Sequence, residues 1–352
     1  MAIQLTKSRK ISNFCEPYII AELGSNHNGD MDIAAKLIKA AKDAGANCVK
    51  FQSWSKETIF SKKKYEDNYF LKDDYRNRKD FSLEEIVEKF SISEKQLLEM
   101  KKYADELKID CISTPFSKKE ADFLVDKMKA PFIKIASMDL NNYPFLEYIA
   151  GKNIPIVIST GLSELYEIDK AIKTIENSGN KNIIILHCVA MYPPNDSQIN
   201  LNNIETLQKL YPYPVGFSDH SLGVSIPLAS VAKGVCIIEK HFTLDKDMFG
   251  WDHKVSATPF ELEFIVKESK RIHKALGSHR IASTEDRERK LEFRRSIVTA
   301  RSLKKNSVIE ESDVDFKRPG TGIKPEEVKY VIGRKLNKNI SGDTILTWKD
   351  FV

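Results

Sequence analysis

Eight short apolar runs alternate with amphipathic stretches through the first 280 residues, and this alternation limits the possible folds more than any other feature. The runs are Tyr18–Glu22, Cys48–Gln52, Asp110–Thr114, Phe132–Ala136, Pro155–Ser159, Ile183–His187, Val215–Ser218 and Val235–Lys240. Each contains Ile or Val, the branched residues that pack well on a pleated sheet. Between them, apolar residues recur at helical spacing, as in Ile33–Asp43, Glu94–Leu107, Lys119–Met128, Leu165–Ile175, Asn203–Leu210 and Val224–Lys233. Parallel strands need long crossovers, which helices supply, so the pattern predicts an α/β fold with a parallel sheet. Eight such units over about 250 residues predict a (β/α)8 TIM barrel. An open doubly wound sheet usually has fewer strands and a glycine-rich first turn. The first turn here, Glu22-Leu23-Gly24-Ser25-Asn26-His27-Asn28-Gly29, has no dinucleotide fingerprint.

The rest of the chain divides around this frame. Residues 54–91 form a long charged connection rich in Lys, Asp and Tyr, readable as a lid or substrate wall or as a solvated helical insertion. A helix over Glu261–Leu276 completes the first domain, residues 1–280. The charged stretch 281–292 reads as a linker. Beyond it come short strands, Ser296–Ala300 and Val314–Lys317, and the turn Pro319-Gly320-Thr321-Gly322. They predict a small second domain over residues 293–352, too small to hold most chemistry alone.

Composition narrows the function. The net charge is +5, and from Ile281 onward there are 16 basic and 12 acidic residues, so most of the excess lies in the last fifth. That is not the clustered basic footprint of a nucleic-acid protein. No stretch approaches the ~18 apolar residues of a membrane span, and Met1–Glu16 lacks the apolar centre of a secretion signal. The five cysteines are scattered with no CxxC pair, which fits a reducing cytoplasm. The expectation is a cytoplasmic protein with neither nucleic-acid nor membrane partners.

In such a barrel, catalytic groups project from the C-terminal ends of the strands. Those ends carry Glu22, Lys50 with Gln52, Ser113-Thr114, Lys134 with Ser137, Ser159-Thr160, His187 with Tyr192 beyond it, Ser218-Asp219-His220, and Glu239-Lys240-His241. A lysine inside an apolar strand needs a partner, because a buried ammonium alone is costly. Lys50 and Lys134 near hydroxyls suit a phosphate or carboxylate. The structural alternative is a pair of internal ion pairs with Glu22 and Glu239. His220 and His241 end neighbouring strands, and converging imidazoles near carboxylates suit Mn2+ or Zn2+. The residues alone point to a barrel enzyme with an anionic substrate and one metal.

The motifs then become specific. Ile19-Ile20-Ala21-Glu22-Leu23-Gly24 with Asn26-His27-Asn28-Gly29, Val49-Lys50-Phe51-Gln52, Ser113-Thr114-Pro115-Phe116 and Lys134-Ile135-Ala136-Ser137 run in order along the chain. Ser159-Thr160-Gly161, Gly216-Phe217-Ser218-Asp219-His220 and Ile238-Glu239-Lys240-His241-Phe242-Thr243-Leu244-Asp245 follow, then Asp252-His253, Phe293-Arg294-Arg295-Ser296 and Lys317-Arg318-Pro319-Gly320. Together they resemble the sialic acid synthase family of phosphoenolpyruvate (PEP)-dependent nonulosonate synthases. The C-terminal part resembles that family's antifreeze-like (SAF) domain.

The resemblance implies condensation of PEP with an open-chain N-acetyl-hexosamine such as N-acetylmannosamine, releasing phosphate. It implies a homodimer with exchanged small domains. His220 and His241 would hold the metal, usually Mn2+, with Mg2+ or Co2+ as alternatives. Glu22 would position or deprotonate water. Lys50, Lys134, Ser137 and Ser159 would bind PEP, and Tyr192 and Asp252 would face the sugar. Arg318, from the small domain of the other chain, would contact the N-acetyl group. Phe293 would join that wall, or else be a core aromatic of the small domain.

Two departures from the family pattern bear on the acceptor. Met138-Asp139 stands where a Glu is usual two residues past Ser137, and Val189-Ala190-Met191 replaces small polar residues after His187-Cys188. Asp139 reaches about one methylene less far than Glu, and the side chains of Val189-Ala190-Met191 cannot hydrogen-bond. The expectation is an intact PEP and metal half with a less polar sugar, as for a legionaminate- or pseudaminate-type synthase. Competing readings are a metal-independent Schiff-base aldolase using Lys50 or Lys134, a synthase acting on a phosphorylated pentose or tetrose, and a carbohydrate-binding module on an inert barrel.

Overall fold

The computed structural model describes residues 1–67 and 82–352. The chain forms two compact units, Met1–Gly277 and Ser278–Val352.

Eight parallel strands make the first unit: β1 (Tyr18–Gly24), β2 (Cys48–Ser53), β3 (Asp110–Pro115), β4 (Ile133–Ile135), β5 (Ile156–Ser159), β6 (Ile183–Cys188), β7 (Val215–Asp219) and β8 (Ile237–His241). The ladder runs β3-β2-β1-β8-β7-β6-β5-β4, so consecutive strands are neighbours and β1 pairs with β8. β3 and β4 lie side by side at the seam, and the barrel is nearly closed. All seven residues of β1 and all five of β8 are buried. Such continuous burial is what a sheet covered on both faces requires.

The covering helices are α1 (Met31–Asp43), α2 (Leu83–Phe90), α3 (Glu94–Glu106), α4 (Lys118–Asp122), α5 (Tyr143–Ala150), α6 (Leu165–Asn177), α7 (Asn202–Leu210), α8 (Ser225–Ala232) and α9 (Pro259–Leu276). Their starts are legible in the sequence. Asp30 accepts hydrogen bonds from the amides of Asp32 and Ile33, Ser93 accepts one from Gln96, and Thr258 accepts one from Glu261 with Pro259 at the first position. Where the sequence predicts one helix over Lys119–Met128, α4 instead loosens into a π-type turn over Phe123–Lys127. No helix among the described residues is long and apolar enough to cross a membrane. All five cysteines are free thiols.

The N-terminus differs from its polar appearance. Ala2–Gln4 pairs antiparallel with Lys10–Ser12, and Ile3, Leu5 and Ile11 enter the barrel core. Asn13 accepts a hydrogen bond from the Val215 amide at the first residue of β7. The hairpin is therefore fastened at the end of the barrel opposite the strand termini that carry the polar residues. Alternating polar positions concealed it, because only every second residue faces inward.

The second unit has its own core of Ile297, Leu303, Ile309, Ile323, Val331, Leu336, Ile340, Leu346 and Phe351. Its strands β9 (Ser296–Thr299) and β10 (Val314–Lys317) pair antiparallel. The segment expected as a linker carries a short helix, Arg287–Phe293.

Candidate active site

Strand register assembles the site. Glu22 on β1 lies level with Lys50 on β2 and with His241 on β8. Glu239 lies level with Ser218 on β7. A register shift after Glu22 lets the chain turn at Gly24, whose φ is +50°. A Cβ there would come within 3.3 Å of Glu22 Oε1, so glycine is favoured by the backbone and spares that carboxylate a tight contact.

These residues line a cavity of ≈ 330 Å³ at the C-terminal ends of the strands, within the range of small-molecule sites. Glu22, Lys50, Lys134, Ser137, Ser159, Tyr192, His220, His241 and Asp252 all face it. Nine of the eleven residues singled out in the sequence are thus brought together. Phe293 and Arg318 belong to the second unit, where the Arg318 guanidinium lies 5.0 Å from the Phe293 ring centre. Phe293 is 48% exposed and outside that unit's core, which removes its reading as a core aromatic.

Both readings of the lysines hold at once. Lys50 forms an ion pair with Glu22, lies 3.7 Å from Glu239 and donates to Thr114 Oγ1 at 3.1 Å. Lys134 lies 3.7 Å from the other oxygen of Glu239 and donates to the Ile135 carbonyl at 3.0 Å. Glu239 also accepts from Ser218 Oγ at 3.0 Å. The sequence named Glu239 only as a structural partner, yet it faces the cavity between the two cations.

The two carboxylates are tuned in opposite directions. Burial raises Glu22 to about 7, with Glu239 adding to the effect and Lys50 opposing it. Burial also opposes ionisation of Glu239, but Lys134, Lys50 and the Ser218 hydroxyl outweigh it and hold that group below the ordinary carboxylate range. Geometry explains the split. Glu22 is in contact with one cation, Lys50, whereas Glu239 lies beside two cations and accepts from the Ser218 hydroxyl. Lys50 is raised despite burial, by Glu22 and Glu239, while burial lowers Lys134.

The two imidazoles converge, with ring centres 5.4 Å apart. His220 Nδ1 donates to the Val189 carbonyl at 2.8 Å, so in the neutral ring Nε2 keeps its lone pair; burial opposes the charged ring, but Cys188 and that carbonyl outweigh it and raise the group. Burial first, then the nearby cations, hold His241 well below the ordinary histidine value. Its 3.7 Å approach to Asp252 is therefore not an ion pair at neutral pH. Burial raises Asp252 itself to about 6. His241 Nδ1 is buried without a hydrogen-bond partner. No three His, Cys, Asp or Glu side chains cluster as a complete metal shell among the described residues. Two converging imidazoles, one with an unsatisfied nitrogen, fit a divalent ion whose remaining ligands are water or substrate.

The cavity wall adds residues that sequence reasoning passed over. Trp54, Ile59, Phe60, Val87, Phe116 and Trp251 line one side. They extend a cluster in which Trp54, Leu83, Ile86, Val87 and Phe90 are buried together. The described part of the connection 54–91 therefore supplies cavity wall; residues 68–81 lie outside the described residues. For two of them the signal was present, since Trp54 and Phe116 each follow directly on a strand end. On the other side, Met138, Leu162 and Ala190 face the cavity. Asp139 does not line it, and accepts a hydrogen bond from Asn142 at 3.1 Å.

A parallel barrel whose rim gathers two lysines, two differently tuned carboxylates and two neutral-capable imidazoles is built as a barrel enzyme for an anionic substrate. The chain belongs to the NeuB family: the family model matches residues 37–281, and the SAF domain model matches residues 294–352. An N,N'-diacetyllegionaminic acid synthase of Legionella pneumophila is 36% identical over 97% of this chain and 96% of its own. The N-acetylneuraminate-9-phosphate synthase of Homo sapiens is 35% identical over 79% of this chain and 76% of its own. The crystal structure of an N-acetylneuraminic acid synthetase from Leptospira borgpetersenii, solved with citrate, matches with a TM-score of 0.73 at 33% identity, covering 83% of this chain and 96% of that one.

Proposed function

We propose that this chain is a PEP-dependent nonulosonate synthase whose acceptor is a deoxy, diacetamido hexose of the legionaminate type rather than plain N-acetylmannosamine. The observation that carries the acceptor is the apolar lining of the cavity mouth. Met138, Leu162 and Ala190 face it, Ala190 in the run where small polar side chains are expected, with Trp54, Phe60 and Trp251 opposite. A sugar hydroxyl placed there loses water and gains no partner, which costs ~1–3 kcal/mol, whereas a methyl gains from burial.

The reaction joins the enol carbon of PEP to the aldehyde carbon of the acceptor. Water adds at the second carbon of PEP, and phosphate leaves. Lys50 and Lys134 balance the anionic charge of PEP, with Ser137 and Ser159 donating to its oxygens. Binding of PEP draws the lysines partly away from Glu22 and Glu239. Glu22 orients the water and takes its proton at Oε1, the oxygen not engaged with Lys50. His220 and His241 would hold the divalent ion, Mn2+ before Mg2+ or Co2+; bound there, it supplies Lewis-acid polarisation of the aldehyde oxygen. Tyr192 and Asp252 contact the sugar. Arg318 and Phe293 reach it from the small domain of the other chain in a domain-exchanged homodimer, with domains 1–280 and 293–352 joined by the linker 281–292. The setting is the cytoplasm.

A Schiff-base aldolase needs a neutral amine; Lys50 faces two carboxylates that favour its charged form, whereas burial lowers Lys134, so chelator-insensitive activity with borohydride trapping on Lys134 is the result that would favour the aldolase. Phosphate release from PEP, measured against a panel of acceptors, tests the proposal. Fastest turnover is expected with 2,4-diacetamido-trideoxy-hexoses. Best turnover with plain N-acetylmannosamine would overturn it.

A further inference from the structure

Asp219 and Lys240 immediately precede His220 and His241, on adjacent strands, and lie opposite each other in the ladder. Side chains alternate along a strand, so these two point away from the cavity that Ser218, Glu239 and His241 line. Both are about 1% exposed. Lys240 Nζ donates to Asp219 Oδ2 at 2.6 Å and to the Ser221 carbonyl at 2.7 Å. Asp219 Oδ1 accepts from the Ser221 amide at 2.9 Å. Both backbone groups of the residue after His220 are thus tied to one ion pair, and that pair's cation sits one residue before His241.

We propose that the Asp219–Lys240 pair is a positioning device for the two imidazoles, fixing their separation so that both can hold one ion. It rests on the reading that His220 and His241 hold a metal. A buried ion pair is a weak source of stability, since well-packed apolar residues of similar size replace it at little or no cost. What apolar residues cannot replace is direction. Two hydrogen bonds from Lys240 tie the residues on either side of His220 to the strand that carries His241, and a third, from the Ser221 amide to Asp219, braces the turn between them. Groups that orient metal ligands commonly change affinity by about ten- to a hundredfold when lost.

The test compares Mn2+ binding, followed by loss of the free-ion electron paramagnetic resonance signal, with thermal melting of the full-length chain. The double variant Asp219→Leu/Lys240→Met removes both charges together. It is expected to melt near the parent temperature yet bind Mn2+ about ten- to a hundredfold more weakly. A folded double variant with Mn2+ affinity within about twofold of the parent overturns the proposal. If the double variant does not fold, Lys240→Arg keeps the charge but changes the geometry. A weakened Mn2+ affinity there supports the proposal, and an unchanged one overturns it. His241→Ala serves as the control: if it binds Mn2+ as well as the parent does, the metal assignment fails, and the positioning role falls with it.

Discussion

Glu22 sits where burial and charge oppose each other. Its value near 7 means that both protonation states are populated at neutral pH before PEP binds. A base must be ionised, and the ionised fraction grows as pH rises. kcat/KM is therefore expected to fall about tenfold per pH unit below 7 and to level off above it. Glu22→Gln should remove that acid limb and lower kcat by about 10²–10⁴. A profile flat down to pH 5, or a Gln variant of near-parental rate, would show that Glu22 is not the base. The sequence placed Glu22 at a strand end but could not tune it, because the shift comes first from burial in the assembled barrel and then from Glu239, more than two hundred positions away. The same distance hid Glu239 itself. Its hydroxyl donor and its two lysines lie on three different strands.

Elements decide which residues share a layer. The alternation of apolar runs made all eight barrel strands legible, with ends off by one or two residues, because continuous burial leaves a hydrophobic run whatever the partner strands are. Register was not legible. Gly216 on β7 shows why it matters. A Cβ there would lie 2.5 Å from Leu186 on β6, 2.8 Å from the Ile237 carbonyl and 2.9 Å from the Ile237 Cβ on β8. Gly216→Ala is expected to lower stability by about 1–3 kcal/mol, read from denaturant melts. An unchanged midpoint would mean that β7 can shift, and with it His220. The wall from residues 54–67 and 82–91 was open in the sequence, because a charged connection can pack its few aromatics inward or leave them in water. The burial of Trp54 with Val87 and Phe90 resolves that choice.

At the scale of the whole molecule, the chain holds two units, each with its own core. If small domains are exchanged in a homodimer, the active site is built from two chains. Mixing inactive Glu22→Gln and Arg318→Ala chains under exchange conditions should then restore activity. One site of each mixed dimer regains both an intact Glu22 and an intact Arg318. No recovery on mixing, with mixed dimers shown to form, would place both residues in one chain. The sequence by itself determined the barrel, the polar strand ends and the lysines that needed partners, because burial periodicity and the cost of an unpaired charge are local facts. Only the tertiary structure decided that Glu22 and Glu239 share Lys50 but ionise differently, that aromatics from three connections wall the cavity, and that Lys240 serves the strand rather than the cavity. Those outcomes depend on register and dielectric, which arise only when distant segments are brought side by side.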